Sequence, residues 1–114
     1  MSFDAVHAEL RRLMLDSGVD QMIARDEPGD LILYTGRSEP KTGKPVWFGA
    51  VTTKKGYVAY HLMPLYANPS LGDGLSEALA KRRQGKSCFN FKSIDPDLFA
   101  ELAELTRQAN IHNE

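Results

Sequence analysis

Residues 45–63 read PVWFGAVTTKKGYVAYHLM, and this stretch decides the fold. Two runs rich in β-branched and aromatic residues, 46–53 and 57–63, are separated by the three-residue link KKG. A short link that contains glycine is typical of a β-hairpin, because glycine adopts the left-handed conformation that such a turn requires. Pro64 has no amide hydrogen to donate, so strand pairing is predicted to stop before it. The sequence therefore predicts an antiparallel pair of strands at the centre of the chain.

Two further strands are predicted on either side of this hairpin. Residues 31–35 form a β-rich run between turn-forming residues, and residues 87–92 alternate between aromatic and polar side chains. The hairpin and the later strand belong to residues 45–92, which hold seven of the chain's ten aromatic residues. Such a concentration of large apolar side chains predicts the core.

The N-terminal segment is predicted to be helical. Apolar residues recur at steps of three and four over residues 3–16, with charged residues between them, and Ser2 is the expected N-cap. His7 lies within this helix and is expected on the surface. Residues 19–29 mix apolar, acidic, proline and glycine residues, which favours a short helical turn followed by a loop.

Two more helices are predicted after the hairpin. A stripe at helical spacing, formed by Leu75, Ala78, Leu79 and Arg82, predicts a helix to about Gln84, and Gly85 is expected to end it. The last helix is predicted to begin with Asp95 as N-cap and Pro96 at the first helical position, and apolar residues follow at helical spacing from 98 to 109. The order α-β-β-β-α-β-α predicts an α+β fold, a single domain over residues 1–114 in which an antiparallel sheet of four to five strands packs with three helices.

The alternation of side chains gives this sheet two different faces. Val58, Tyr60 and Leu62 share one face of their strand, and Phe89 and Phe91 share one face of theirs. These residues are predicted to lie under the helices, where full burial contributes about 1.5–3 kcal/mol for each large side chain.

The opposite face is the candidate site. It is predicted to carry the five residues of a ligand-binding surface, Trp47, Tyr57, His61, Cys88 and Asn90. We favour a non-enzymatic module that binds a small molecule or a protein there, because aromatic and polar side chains share strands that require cover. One alternative is a small enzyme that uses His61 and Cys88 as base and nucleophile. Another is a homodimer interface on the same face.

A basic cluster forms a second candidate surface. Lys81, Arg82, Arg83 and Lys86 follow one another closely and predict a patch that attracts an anion or an acidic partner. The simpler interpretation is a solvated helix end whose cations complement the helix dipole.

Bulk composition narrows the functional classes. The formal net charge is −1 and the isoelectric point is near 6.3, so the basic excess typical of a nucleic-acid-binding protein is absent from the sequence. No run approaches the roughly 20 apolar residues of a membrane span. The single cysteine and the charged N-terminal segment favour a cytoplasmic protein. The sequence contains no HExxH or CxxC pattern, so neither a metal site nor a cofactor is expected.

The segments PVWFGAVTTKKGYVAYHLMPLY, residues 45–66, and LAKRRQGKSCFNFKSIDPDLFAELAELT, residues 79–106, resemble the YdhG-like family of small bacterial domains of unknown function. The resemblance covers most of residues 30–106. It implies an α+β domain with a helix-flanked antiparallel sheet, similar to secretion-chaperone-like folds. Because one type of member has been linked to frataxin-like iron delivery, the resemblance also implies iron handling as an alternative function. It implies no catalytic residues.

Overall fold

A computed structural model describes residues 3–18, 21–85 and 87–111. In these residues it contains four helices, α1 (Asp4–Ser17), α2 (Pro64–Ala67), α3 (Glu77–Ala80) and α4 (Pro96–Ile111), and a 3-10 turn (Pro69–Gly72) between α2 and α3. The strands are β1 (Met22–Glu27), β2 (Asp30–Ser38), β3 (Pro45–Thr53), β4 (Val58–Leu62), β5 (Arg83–Gln84) and β6 (Cys88–Phe91). The predicted α+β class is confirmed, with six strands instead of four to five and four helices instead of three.

All six strands form one antiparallel sheet in the order β1-β2-β3-β4-β6-β5. The first four strands follow one another as a meander. The chain then crosses through α2 and α3 to the far edge, where β5 and β6 form a hairpin and β6 pairs with β4. Gly85 lies in the turn of this hairpin with a φ of 76°, a left-handed conformation that glycine adopts without a Cβ clash.

The prediction of a helical turn and loop over residues 19–29 is wrong. Met22–Glu27 forms the edge strand β1, which pairs with β2, while residues 19 and 20 lie outside the described part of the chain. The side chains of β1 are exposed along its whole length, so the strand depends on backbone pairing with β2.

The helix predicted over residues 75–84 is much shorter than expected. It comprises only Glu77–Ala80, and the Ser76 hydroxyl caps it by accepting a hydrogen bond from the Leu79 amide at 3.2 Å. Arg83–Gln84 leaves the helical path and pairs with β6. This pairing satisfies backbone groups on the outer edge of β6 that a continued helix would leave without partners.

The helices pack against one face of the sheet, and the predicted core face is confirmed. Val58, Tyr60, Leu62, Phe89 and Phe91 are all buried there. They form one apolar cluster with residues of the helices, among them Leu10, Met14, Leu65, Leu79 and Leu102. This cluster occupies the helix side of the sheet, so the opposite face is left to carry other side chains.

The first helix differs from its prediction in two details. It begins at Asp4 with Phe3 at the cap position, where no side chain caps the helix, and Ser2 lies outside the described residues. His7 was expected on the surface, and that expectation is wrong. The imidazole is buried, and its Nε2 donates a hydrogen bond to the carbonyl oxygen of Val51 on β3 at 3.0 Å. This bond satisfies a polar group that would otherwise be costly to bury beneath the sheet.

A buried pair of hydroxyls joins the sheet to the last helix. The Thr106 hydroxyl donates to the carbonyl oxygen of Leu102 at 2.8 Å, so its oxygen is left to accept from the hydroxyl of Tyr60 at 2.6 Å. Burial raises the pKa of Tyr60, and the hydrogen bond with Thr106 opposes this effect only in part. The phenol therefore stays protonated and acts as the donor. The predicted N-cap of the same helix is also present, because Asp95 Oδ1 accepts from the Leu98 amide at 3.2 Å.

Replacing Thr106 by valine is expected to lower the free energy of unfolding by about 2 kcal/mol, because the Tyr60 hydroxyl is then buried without a partner. Tyr60→Phe removes the donor and leaves Thr106 bonded to Leu102, so its expected cost is only about 1 kcal/mol. The loss of unfolding free energy in the double variant should be smaller than the sum of the losses in the two single variants. Urea unfolding of all four proteins measures these differences, and strict additivity would contradict the assignment of the bond.

No helix in the described residues is both long enough and apolar enough to cross a membrane.

Candidate functional site

The face of the sheet opposite the core, which we call the open face, is defined by the register of its strands. It carries Asp30, Ile32 and Tyr34 of β2, Trp47, Ala50 and Thr52 of β3, Ala59 and His61 of β4, and Cys88 and Asn90 of β6. Most of these side chains are partly accessible, whereas the small residues Ala50 and Ala59 are buried between larger neighbours.

Three of the five predicted ligand-binding residues meet on the open face. The β4–β6 register sets His61 directly opposite Cys88, and Cys88 Sγ lies 3.7 Å from His61 Nε2. The thiol also donates a hydrogen bond to Asn90 Oδ1 at 3.3 Å. A thiol has one proton, so a bond to Asn90 leaves the sulfur to accept from the imidazole. His61, Cys88 and Asn90 form a connected group that we call the thiol cluster.

Both titratable members of the thiol cluster are shifted toward their neutral forms. Burial raises the pKa of the Cys88 thiol, and the charge of Lys54 opposes this shift. Burial lowers the pKa of His61, and Lys54 lowers it further. Near pH 7 the cluster therefore consists of a protonated thiol and a neutral imidazole. A nucleophilic cysteine requires the opposite condition, a thiolate stabilised by a nearby cation.

Cys88 is expected to react more slowly with a thiol probe at pH 7 than the same cysteine in the urea-unfolded chain, because its raised pKa leaves less thiolate. The rate should rise as pH increases, with a midpoint above that of the unfolded chain. Lys54→Gln removes the opposing charge and should move this midpoint higher, whereas Lys55→Gln at the neighbouring exposed position should not. Faster labelling of the folded protein at pH 7 would contradict the neutral assignment.

Trp47 lies at one end of the open face. A register shift between β2 and β3 turns Phe48 into the core, and Trp47 stacks on Tyr34 with ring centroids 6.0 Å apart and planes at 29°. The indole is 42% exposed and faces a shallow cleft of about 390 Å³, lined also by Arg37, Glu39, Pro45, Val46, Met63, Pro64 and Tyr66. Trp47 therefore offers an apolar surface at the edge of the predicted site.

Tyr57 lies toward the opposite end of the open face, immediately before β4 and beside the β3–β4 turn. It lines a second cleft of about 190 Å³, which we call the basic cleft, together with Lys81, Arg82, Gln84, Asn90 and Lys92. Asn90 belongs to both the thiol cluster and the basic cleft. The predicted ligand-binding residues therefore form a band across the sheet, with the Trp47 and Tyr57 ends separated by the thiol cluster.

The structure divides the predicted basic patch. Lys81 and Arg82 line the basic cleft. The backbone N–H of Asn90 donates a hydrogen bond to the carbonyl oxygen of Arg82 at 2.9 Å. Arg83 pairs with buried Phe89, and its guanidinium lies against Gly72, where an added Cβ would be 2.8 Å from Nη1. Arg83 is thus directed toward the helix side, away from Arg82. Lys86 lies outside the described residues.

Two residues near the site were not predicted from the sequence. Gln84 was expected within a helix, and its place in the basic cleft depends on β5 pairing with β6. Lys54 was expected only as part of the hairpin link, but its charge acts on both His61 and Cys88. The two-residue alternation that places Ala50 and Thr52 of β3 on the open face extends to position 54, one residue beyond the strand, so the signal for Lys54 was present.

Fold and site together define an α+β domain with one helix-covered sheet face and one polar, partly aromatic open face. Comparison of the chain with protein-family models, with curated proteins and with solved structures gives no match. The resemblance to the YdhG-like family stays a prediction. Within residues 3–18, 21–85 and 87–111, no three histidine, cysteine, aspartate or glutamate side chains gather in a way that could hold a metal ion.

Proposed function

We propose that this protein is a non-enzymatic binding module that holds a small molecule on the open face, around the thiol cluster. The observation that carries the proposal is the meeting of His61, Cys88 and Asn90 on a sheet face opposite the helix-covered core. The proposal is compatible with a YdhG-like, cytoplasmic protein, an expectation that depends on the sequence alone.

The chemistry of the thiol cluster favours binding over catalysis. A neutral imidazole and an amide each offer hydrogen-bond donors and acceptors without the desolvation cost of a buried charge. Ala50 and Ala59 lie opposite His61 and Asn90 in the register, and their buried methyl groups give the polar cluster apolar neighbours. Polar groups beside an apolar floor are typical of small-molecule sites.

One contact supports a second candidate function. The 3.7 Å separation of Cys88 Sγ and His61 Nε2 is close to the geometry of a nucleophile and its base, so a small enzyme is the alternative. It requires a reactive thiolate at neutral pH. The labelling experiment on Cys88 therefore separates the two functions, because fast labelling of the folded protein supports the enzyme and slow labelling supports the binding module.

Ligand binding can be tested by titrating metabolite pools into the isotope-labelled protein while following amide NMR shifts and Trp47 fluorescence. We expect saturable shifts at His61, Cys88 and Asn90. Asn90→Ala should weaken the affinity for the ligand by about tenfold, because one good hydrogen bond is lost, whereas Gln108→Ala should leave the affinity unchanged. The control removes the same kind of amide from the exposed face of α4.

Two results would contradict the proposal. The first result is amide NMR shifts confined to α1, which would show that the ligand binds away from the open face. The second result is a protein that sediments as a dimer and whose open face is protected from amide hydrogen exchange in that dimer. It would show that the open face is a homodimer interface and not a small-molecule site. A monomer at high concentration with shifts at the thiol cluster is the expected result.

A further inference from the structure

We infer that the basic cleft binds a small oxyanion, the phosphate group of a metabolite. The inference rests on the proposed function, because the cleft adjoins the thiol cluster through Asn90 and would hold the charged end of the same ligand. It adds the chemical class of that ligand, which the neutral thiol cluster alone does not define.

The charge of the cleft is of one sign. Lys81, Arg82 and Lys92 line it, and none of the aspartates or glutamates in the described part of the chain does. The whole chain carries 14 basic and 15 acidic residues, so three cations without a lining carboxylate are a marked local excess. Such a concave surface lined by one sign of charge raises the local concentration of anions.

The cations of the cleft are largely available to a ligand. Among the ion pairs of the described residues, none involves Arg82 or Lys92. Lys81 approaches Glu77 only at 4.0 Å, and both side chains are strongly exposed, so this pair contributes little. Asp30, an acidic residue on the open face of β2, accepts hydrogen bonds from Arg25 and from the Thr52 hydroxyl. Two strands, β3 and β4, lie between it and β6.

The neutral lining residues complete a set of donors. Tyr57 has a hydroxyl, and Gln84 and Asn90 have side-chain amides, which can donate to the oxygens of an anion. The guanidinium of Arg82 can donate two parallel hydrogen bonds to a phosphate. The volume of about 190 Å³ is below the roughly 300–1,000 Å³ of sites for drug-sized ligands, so the cleft suits a phosphate group and not a whole nucleotide.

The test is a titration of the isotope-labelled 114-residue chain with inorganic phosphate at constant ionic strength. The phosphate concentration is raised to about 20 mM, because a single exposed anion site is expected to bind in the millimolar range. Saturable amide shifts are expected at Tyr57, Arg82, Asn90 and Lys92. Arg82→Gln should weaken binding by about tenfold, the loss of a charge-assisted pair. Lys92→Gln should weaken it several-fold, and both variants change exposed side chains. Lys41→Gln is the matched control, because this exposed lysine lies in the β2–β3 connection at the far end of the sheet.

Acetate is the comparison ligand. It carries one charge, so tighter binding of phosphate supports the inference, and equal affinity would overturn the phosphate assignment. Absence of saturable shifts, or equal effects of Arg82→Gln and Lys41→Gln, would overturn the anion site. If a metabolite pool shifts the thiol cluster while phosphate shifts nothing, only this inference fails. If neither titration shifts the open face, the proposed function fails with it.

Discussion

Replacing Phe89 by alanine is expected to lower the free energy of unfolding by about 3–5 kcal/mol, because a large cavity opens in a packed core. Phe89 is fully buried, and it pairs with Tyr60 on one side and with Arg83 on the other. Domains of this size are typically stable by only about 5–15 kcal/mol, so the variant should be close to its unfolding limit at room temperature.

Urea unfolding followed by far-ultraviolet circular dichroism measures this loss. The matched control is Lys92→Ala, one residue beyond the same strand on the exposed side, which should change stability by no more than about 0.5 kcal/mol. Phe89 also lies between Cys88 and Asn90, so fraying of β6 in Phe89→Ala should expose the thiol and increase its labelling rate. A loss below about 1 kcal/mol would show that the ring is not an essential part of the core.

The residues that fill the core could be predicted because both regular periods are simple. Tyr60, Leu62 and Phe91 follow the two-residue repeat of strands, and α1 and α4 follow the repeat of helices. In each case burial of one side of the element leaves a clear pattern in the sequence. The prediction succeeds where an element has a buried side and a solvent-facing side.

The strand β1 lacks this signal. Its sequence MIARDE is exposed at every position, so neither face selects apolar residues at a two-residue period. The strand forms because β2 offers an unpaired backbone edge, and its charged residues are typical of edge strands that avoid further pairing. Backbone pairing of this kind depends on a neighbour elsewhere in the chain, which a local pattern does not reveal.

The candidate site was predicted only in part, because strand register, like the pairing of β1, is not visible in a local sequence pattern. Alternation assigns His61 and Cys88 each to a face, but it does not say which residues of β4 and β6 lie opposite each other. Trp47 is a second example, since a strict two-residue repeat would place it on the same face as buried Val51. The register shift beside Tyr34 moves Phe48 into the core and leaves Trp47 on the open face. Composition identified the side chains, and strand register determined which of them meet.

Replacing Gly49 by alanine is expected to lower the free energy of unfolding by about 3 kcal/mol, because the added methyl group overpacks a tight contact. Gly49 lies opposite Leu62 in the β3–β4 register. A Cβ at this position would lie 2.6 Å from Met14 Cε and 2.7 Å from the carbonyl oxygen of His61. The methionine can rotate away, but the carbonyl belongs to the strand that carries the thiol cluster and can move only with it.

Urea unfolding and the NMR signals of the His61 imidazole test this expectation together. The matched control is Gly56→Ala in the β3–β4 turn, where an added Cβ has no neighbour within 4 Å among the described residues. The left-handed glycine predicted for this turn is not found, because the φ of Gly56 is not positive, so alanine fits the backbone. Gly56→Ala should be neutral or stabilising by up to about 1 kcal/mol, because alanine lowers the conformational entropy of the unfolded chain. Gly49→Ala should instead lose stability and shift the His61 signals, because relief of the clash displaces the backbone of β4. If the two variants unfold at the same urea concentration, the close approach of β3, β4 and α1 beneath the thiol cluster is wrong, and the geometry of His61 and Cys88 must be revised with it.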